Sequence, residues 1–461
     1  MNLPKVKLHG LERLCTVSKN SNYKIAVITK LSGPNSDIIT NLRYAWTAVV
    51  NKHPRMRALL SRTDPFTAVI RPYLTVEEVL PLIKTSYAPE EHWQSVVEEE
   101  TAVPFDRYDS ISFSIHFFVH SPESSTMVIY MDHFMSDGLS AMHILNDMFV
   151  YLQTKETLDE EPLTKDIYSL RQSPLKKWCG KQILRLVKPF VGMKLKQYRP
   201  LFPLNTNQMP LDYPLPSNPT KGLFAKGKPE NMKAVLKICK ERGVSVNSAM
   251  LVAVLLAAAK TKHDELELES NFKMSMDVAY DLRRVSAKTS GLKVGAFSAA
   301  TLLNGYKSNG VDLDKNFWKE CQRAKKQMFN SYQIINFTLG SIDEYFSQNS
   351  GECFIKGQSG CVLSDVNVSN IGKYQFAREF KINGNKITLD GFYGHCAASN
   401  ISAGANIYFL SADSFHYSMS HKFEETVARQ FFDNLYTVAE NLHTIGESES
   451  IREYGKRIFS I

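Results

Sequence analysis

Hydrophobic and polar residues alternate along one stretch of the N-terminal half of the chain. From Ile111 to Val119 the odd positions are all apolar, whereas the even positions are mostly serine and histidine. This period of two predicts a β-strand, and the apolar run at 126–131 predicts the next strand. After Gly138 the spacing changes, because apolar residues recur every three or four positions, at Met142, Leu145, Phe149 and Leu152. That spacing predicts a helix.

Helical spacing recurs elsewhere in the chain. Near the N-terminus, Ser36 is a candidate cap for a helix that ends before Pro54. In the C-terminal half, Pro229 suits the first turn of a helix that Gly243 would end. Residues 249–259 are apolar throughout, too few to span a bilayer, and predict a buried helix.

Strand-like segments also occur in the C-terminal half, at 272–278 and at 361–372. Strands and helices therefore alternate in both halves, which favours two α/β lobes. The length agrees with this architecture, because 461 residues exceed what one hydrophobic core organises. Hydrophobic residues make up 43% of the chain and charged residues 22%, a composition typical of folded proteins rather than disordered ones.

The composition changes between residues 158 and 221. An acidic start gives way to a basic stretch and then to a proline-rich segment, which predicts a crossover linker between lobes at 1–157 and 222–461. Within this linker, 173–200 contains eight Lys or Arg residues interleaved with apolar residues, and no acidic residue. One interpretation is a basic amphipathic helix that rests on an anionic membrane or covers a lipophilic tunnel. The alternative is an ordinary helix with one face packed on the protein.

Charge and cysteine usage exclude several classes of function. The net charge of +8 suits an anionic substrate or membrane surface and does not argue for nucleic acid. The cysteines are scattered and form no C-x-x-C pair, which predicts reduced thiols in the cytoplasm and no metal site. The first fifteen residues mix charged with apolar side chains, so no signal peptide is expected. Walker A, G-x-G-x-x-G and G-x-S-x-G patterns do not occur.

One short motif carries the candidate chemistry. His133, Asp137 and Gly138 lie where the second predicted strand meets the following helix. A histidine at a strand-to-loop transition is well placed for proton transfer, and a glycine there can turn the backbone. Asp137 could orient His133 for this role. The alternative is a satisfied core histidine beside an aspartate that caps the helix, and these residues alone leave both interpretations open.

The motif resembles the H-x-x-x-D-G motif of the chloramphenicol acetyltransferase-like superfamily. That superfamily includes condensation domains, wax ester synthases, alcohol acetyltransferases and the plant HxxxD acyltransferases. Three further segments are similar to family segments, in the family's order, and together with the motif they cover most of the chain. They are Ala45–Arg57, Asp281–Arg284 followed by Lys293–Phe297, and Val368–Gly372.

The resemblance implies two pseudo-symmetric lobes, each a mixed sheet with flanking helices, and an active-site tunnel between them. His133 would be the general base, taking the proton from a hydroxyl or amine as it attacks an acyl thioester, without an acyl-enzyme. Asp137 would point away from His133 and pair with Arg283 of the second lobe, with Arg284 as the runner-up. This pair and Gly138 would have structural roles at the active site.

Ser369 and Asn370 are the implied oxyanion or substrate contacts, and the alternative for them is a simple polar turn. Two departures from the family patterns guide the choice among relatives. Asp132 stands where condensation domains carry the first of two consecutive histidines, and Asp390–His395 does not match the D-F-G-W-G segment of the plant enzymes. These departures favour a free-standing alcohol acetyltransferase-like or polyketide-associated acyltransferase.

We therefore expect an acyl-CoA-dependent O- or N-acyltransferase, with acyl-CoA as co-substrate and no permanently bound cofactor. The expected partners are a small-molecule or lipid acceptor and acyl-CoA or an acyl-carrier protein, in a cytoplasmic monomer that touches membrane through 173–200. The alternatives are a condensation-type enzyme with a carrier-bound donor and a non-catalytic homologue that binds a ligand or partner. A nucleophilic pair of His395 and Cys396 is disfavoured, because adjacent strand residues point to opposite faces.

Overall fold

The computed structural model describes residues 3–16, 22–163, 200–204, 220–268, 270–285, 291–303, 308–338, 364–397 and 403–461, with isolated positions between these ranges. The strands are β1 (Lys5–Lys7), β2 (Lys24–Ser32), β3 (Ala58–Leu60), β4 (Thr67–Ile70), β5 (Ile83–Tyr87), β6 (Phe113–Ser121), β7 (Ser124–Asp132), β8 (Lys221–Lys226), β9 (Met276–Asp281), β10 (Ser298–Leu302), β11 (Val366–Lys373), β12 (Glu379–Ile382), β13 (Asn385–Cys396), β14 (Ala405–Ser411) and β15 (Phe415–His421). The helices are α1 (Leu11–Thr16), α2 (Asn35–Lys52), α3 (Val76–Val79), α4 (His92–Ala102), α5 (Gly138–Thr154), α6 (Pro229–Glu241), α7 (Val246–Lys262), α8 (Phe317–Thr338), α9 (Glu425–Glu440) and α10 (Ile451–Phe459).

The N-terminal lobe is built on a six-stranded sheet in the order β12-β13-β2-β7-β6-β5. The strand predicted from alternation is β6 and the strand predicted from the apolar run is β7, and apolar side chains of both join α2 and α5 in one hydrophobic core. Helix α5 begins at Gly138, where the spacing predicted a helix, and Met142, Leu145, Phe149 and Leu152 are all buried. Helix α2 starts two residues earlier than predicted, so Ser36 lies inside its first turn and Pro34 is the N-cap residue.

The C-terminal lobe is built on a second six-stranded sheet, in the order β10-β9-β11-β14-β15-β8. Every residue of α7 from Ser248 to Ala259 is buried, because this helix packs between the sheet and the other helices of the lobe. Ser245 caps α7, and its hydroxyl accepts the Ser248 amide at 3.0 Å. Leu236 of α6 is 44% exposed.

The prediction of two α/β lobes is confirmed, but the sheets cross the predicted boundary at residue 222. Strands β12 and β13 come from the C-terminal half and belong to the N-terminal sheet, where β13 pairs antiparallel with β2. Alternation identifies a strand without identifying the edge on which it pairs, so the sequence pattern could not show this crossing.

The predicted membrane-contacting segment 173–200 lies outside the described residues apart from isolated positions, and its membrane contact stays a prediction. In the described part of the chain no single helix is long and apolar enough to span a bilayer. The pair α6 and α7 passes the same test only together, across a bend of 108°. Among the described residues no group of three or more His, Cys, Asp or Glu side chains could hold a metal ion.

Candidate active site

The candidate base His133 lies in the loop between the end of β7 and the start of α5. The His133 amide donates to the carbonyl of Tyr23 at 3.1 Å, which ties the loop to the residue directly before β2. On the ring, Nδ1 lies 2.7 Å from the carbonyl oxygen of Ser136. A carbonyl can only accept, so Nδ1 carries the proton and Nε2 keeps its lone pair. The main chain of the loop therefore fixes His133 in the tautomer that a general base needs.

Asp132 forms a buried ion pair on the N-terminal side of the loop. Its Oδ2 accepts Nε of Arg107 at 2.6 Å and its Oδ1 accepts Nη2 at 3.1 Å. The two side chains are 1% and 4% exposed, and Arg107 also donates to the carbonyl of Cys15 at 2.8 Å. This pair was not predicted from the sequence. The available signal was a carboxylate at the end of a buried strand, which requires a cationic partner.

Asp137 faces the second lobe and pairs with Arg283, the partner that the family resemblance implied. Nη1 of Arg283 lies 2.8 Å from Oδ2 of Asp137, and Nη2 lies 3.0 Å from Oδ1, so the contact is bidentate. Both side chains are 6% exposed. Burial opposes ionisation of Asp137, but the facing Arg283 guanidinium outweighs it and holds the pKa of the carboxyl below its ordinary value.

The remaining acceptor sites of Asp137 are also occupied. It is the N-cap of α5 and accepts the Ser140 amide at 2.9 Å, and its Oδ2 accepts the Phe297 amide at 2.9 Å. Arg283 in turn donates to the carbonyls of Leu292 and Lys293 at 2.9 and 2.8 Å. The segments around Arg283 and Phe297 thus both bind the carboxylate of Asp137.

Arg284, the alternative partner, does not approach Asp137. Its side chain is 66% exposed, and its Nε lies 3.3 Å from Oδ2 of Asp281. Gly138 also has a different role from the predicted one, because it makes no turn and is the first residue of α5. A Cβ atom on Gly138 would lie 3.1 Å from Cδ1 of Ile371. The glycine therefore allows the start of α5 to approach β11 closely.

Two cavities between the lobes share a wall beside this loop. The smaller, about 270 Å³, is lined by His133 and by largely apolar residues of both lobes. The larger, about 460 Å³, is lined by a mixture of apolar, polar and charged residues, including Arg284 and Tyr332. The residues common to both cavities are Asp137, Gly138, Ala279, Ser298, Ser369 and Ile371.

The predicted pair Ser369 and Asn370 is divided between these cavities. Ser369 lines both, whereas Asn370 lines only the larger one. Oδ1 of Asn370 accepts the amide of Gly372 at 3.0 Å, at a bulge where Gly372 has a φ of +97°. The polar-turn interpretation therefore applies to the side-chain oxygen of Asn370, whereas Ser369 lies in the wall that the two cavities share.

A second histidine lines the smaller cavity but differs from His133 in its surroundings. Nδ1 of His395 lies 3.0 Å from the hydroxyl of Ser420. Burial lowers the pKa of His395 to about 3, so its ring is neutral over the physiological range. Burial also raises the pKa of the neighbouring Cys396 thiol, which keeps it protonated and unsuited to nucleophilic attack.

Residues 15–177 match the family model of the condensation domain. A comparison with curated protein sequences gives no match.

Solved structures of this fold resemble the chain over nearly its whole length. Trichothecene 15-O-acetyltransferase TRI3 from Fusarium sporotrichioides has a TM-score of 0.71 at 13% identity, covering 96% of both chains. The EpoB cyclization-docking bidomain from Sorangium cellulosum has a TM-score of 0.65 at 11% identity, covering 97% of this chain and 87% of that one. The first condensation domain of the calcium-dependent antibiotic synthetase has a TM-score of 0.63 at 11% identity, covering 98% and 99%.

Proposed function

We propose that this chain, a member of the condensation-domain superfamily with the chloramphenicol acetyltransferase-like fold, is an acyltransferase. It moves an acyl group from an acyl thioester to a hydroxyl or amine acceptor. The donor that we propose first is acyl-CoA. The reaction takes place in a ternary complex, without an acyl-enzyme. His133 is the general base, and acyl-CoA is a co-substrate rather than a resident cofactor.

The observation that carries this proposal is the contact between Nδ1 of His133 and the Ser136 carbonyl at 2.7 Å. It leaves Nε2 as the proton-accepting atom of a ring that lines a cavity. A base in this position accepts the acceptor's proton as its oxygen or nitrogen attacks the thioester carbon. The thiolate leaving group then takes a proton from the imidazolium, which regenerates neutral His133.

The two cavities suit the two substrates. His133 lines only the smaller cavity, so the acceptor whose proton it removes belongs there. The thioester donor then occupies the larger, more polar cavity, and its carbonyl meets the acceptor at the shared wall. Ser369 lies in that wall and is our candidate donor to the developing oxyanion.

A comparison of His133→Ala with His92→Ala tests the proposal. Purified variants are supplied with a panel of acyl-CoAs and alcohols or amines, and free CoA and acylated product are followed by thiol assay and mass spectrometry. We expect His133→Ala to lose roughly 100- to 10,000-fold of the wild-type rate. His92 is an exposed helix residue outside both cavities, and its variant retains the wild-type rate. Transfer by His133→Ala at the wild-type rate would refute the mechanism.

A carrier-bound donor is the second candidate, because the matched family is that of condensation domains. The same acyl group is offered on CoA and on the phosphopantetheine of a carrier protein, with one acceptor. A kcat/KM that is higher by tenfold or more for the carrier-bound donor identifies the condensation-type enzyme. Consumption of neither donor favours the non-catalytic homologue. The cytoplasmic location, the monomeric state and the lipid acceptor stay predictions.

A further inference from the structure

The C-terminal sheet presents a row of polar side chains to the cavity that contains His133. Asn367 of β11 pairs in register with Asp277 of β9 on one side and with Asn406 of β14 on the other. Residues in register on neighbouring strands project to the same face of a sheet. All three line the smaller cavity, and the apolar residues beside them, such as Val366 and Ile407, enter the core on the opposite face.

The rest of this cavity wall is mainly apolar. The next residues along the same strand faces are Ala279 on β9, Ser369 on β11 and Tyr408 on β14, and the N-terminal lobe contributes aliphatic residues such as Ile25 and Val27. The side chains of the polar row are therefore a concentrated set of hydrogen-bonding groups in a mainly apolar site. A site of this kind is typical of small-molecule recognition, in which a few placed polar groups fix the orientation of the ligand.

Asn406 is the member of the row that points most directly to a ligand. It is only 7% exposed, and its Nδ2 is buried without a hydrogen-bond partner within the described residues. A buried amide donor that lacks a partner is destabilising, so its presence beside a cavity indicates that a bound molecule supplies the acceptor. Asp277 contributes acceptors at the other end of the row, where Oδ2 already accepts the Ser364 hydroxyl at 2.6 Å.

We propose that Asp277, Asn367 and Asn406 form an acceptor-recognition row, which binds a second hydroxyl group of the acceptor while its first hydroxyl faces His133. A hydroxyl matches the row because it donates to the carboxylate and amide oxygens and accepts from Nδ2 of Asn406. The mainly apolar remainder of the cavity wall contacts a hydrocarbon skeleton. The acceptor class is therefore an oxygenated hydrocarbon with at least two separated hydroxyl groups. This inference rests on the proposed acyltransferase function.

A chain-length series tests the row with defined probes. The purified full-length protein receives acetyl-CoA and either an α,ω-diol or the monohydric alcohol of the same length, from butanol to decanol. For each chain length, kcat/KM for the diol is divided by kcat/KM for the alcohol and then halved, because the diol has two equivalent hydroxyls. We expect this corrected ratio to reach a maximum of about tenfold or more at one length. That length gives the span from His133 to the row. A corrected ratio near one at every length would overturn the proposal.

Asn406→Leu is the diagnostic variant, since leucine removes the amide group at similar volume. We expect the peak in the diol ratio to disappear in Asn406→Leu and to persist in Asn385→Leu, a matched change at an exposed strand position outside the cavity. Thermal stability gives an independent reading. Removal of an unpartnered buried amide leaves the Tm unchanged or raises it, whereas loss of a structural amide lowers it. A lower Tm with an unchanged diol ratio would refute the recognition role.

The design separates this inference from the proposed function. If the wild type acetylates neither alcohols nor diols, the proposed acyl transfer to hydroxyl groups is refuted. The acceptor-recognition row is then tested by diol binding alone. Recognition predicts that the diol of best length raises the Tm of the wild type and of Asn385→Leu, but not of Asn406→Leu or Asn367→Leu. Equal Tm shifts in all four proteins would overturn the row, whether or not the enzyme proposal stands.

Discussion

His133 and Asp137 are four residues apart, yet their side chains have separate partners. The ring of His133 is oriented by a main-chain carbonyl of its own loop, 2.7 Å from Nδ1. The carboxylate of Asp137 is occupied by Arg283, Ser140 and the Phe297 amide. The two residues therefore do not form a catalytic dyad. The ring of His133 is oriented by the backbone, and the carboxylate of Asp137 ties the loop to the second lobe.

Removal of Arg283 tests the structural role of Asp137. We expect Arg283→Ala to lower the free energy of unfolding by about 3–5 kcal/mol, because it leaves a buried carboxylate without its cation. Arg283→Lys recovers only part of this loss, since an ammonium group cannot reproduce the bidentate contact. Urea unfolding of each variant provides the measurement. Arg284→Ala is the control, and an equal loss in that variant would contradict the assignment of Arg283.

Replacement of Asp132 by histidine tests whether the motif can be converted to that of a condensation domain. Asp132→His restores two consecutive histidines but leaves the guanidinium of Arg107 buried without its carboxylate. We expect a loss of about 3 kcal/mol or more in unfolding free energy, and no gain in transfer from a carrier-bound donor. The double variant Asp132→His/Arg107→Leu recovers part of the stability. A stable Asp132→His with unchanged urea midpoint would show that the pair contributes little.

At the scale of residues, the sequence supported the ion pair between Asp137 and Arg283 only through the family resemblance. Spacing alone left the dyad and the capping interpretations open, because a histidine and an aspartate four residues apart suit both. Arg107 was not found, since it lies 25 positions from Asp132 and no local pattern joins them. Long-range partners of buried charges depend on the tertiary fold, which periodicity does not specify.

At the scale of elements, the start of α5 and the strand β11 approach each other across the two lobes. Gly138 and Ile371 are the contact point, and a side chain at position 138 would meet Ile371 at 3.1 Å. Asp137 caps the same helix while it binds Arg283, so the first turn of α5 is held to the C-terminal lobe by packing and by charge. The position of the His133 loop therefore depends on this helix start.

Gly138→Ala tests the packing between α5 and β11. The added methyl group forces Ile371 or the helix start to move, so we expect a loss of about 1–3 kcal/mol in stability and a lower kcat. Ile371→Val removes the Cδ1 atom that the new methyl group would contact. The double variant should therefore recover stability and kcat relative to Gly138→Ala. If the stability losses of the two single variants simply add in the double variant, the contact between position 138 and Ile371 is not the cause of the loss.

Periodicity predicted single elements well and their partners poorly. The helix after Gly138 and the strands before it were placed within a few residues, because burial of one face imposes the period. Residues 379–396 fell within the predicted C-terminal lobe at 222–461, although they form β12 and β13 and β13 pairs with β2. The polar row was also not found. Asp277, Asn367 and Asn406 are far apart in sequence and meet only through strand register.

At the scale of the whole molecule, β13 connects the two lobes. It pairs with β2 in the N-terminal sheet, and its Gly394 and Cys396 amides donate to the hydroxyls of Ser418 and Ser420 on β15 at 3.0 and 3.1 Å. This strand forms part of the wall of the His133 cavity. The cavity therefore depends on contact between the lobes, and conditions that weaken this contact should also alter the site.

Three buried histidines, His395, His416 and His421, lie at this contact and make the folded state sensitive to acid. Burial lowers the pKa of His395 to about 3 and of His416 and His421 to about 4. Near His416, Lys226 and Arg378 lower the pKa further, whereas Asp413 raises it. The unfolded chain titrates near the ordinary pKa of about 6.5, so it binds more protons than the folded protein between that pH and about 4.

These depressed pKa values contribute stability that is complete above pH about 6.5 and is lost as the pH falls toward the folded values. By pH about 5 the loss is on the order of 2 kcal/mol for a histidine whose pKa is about 4.

Urea midpoints measured between pH 8 and pH 4.5 should therefore fall steeply below pH 6.5. His416→Leu should reduce this slope, because leucine takes up no proton in either the folded or the unfolded state. His92→Leu changes an exposed ring and should leave the slope unchanged. A midpoint that stays flat down to pH 5 would show that these histidines protonate without opening the contact between the lobes.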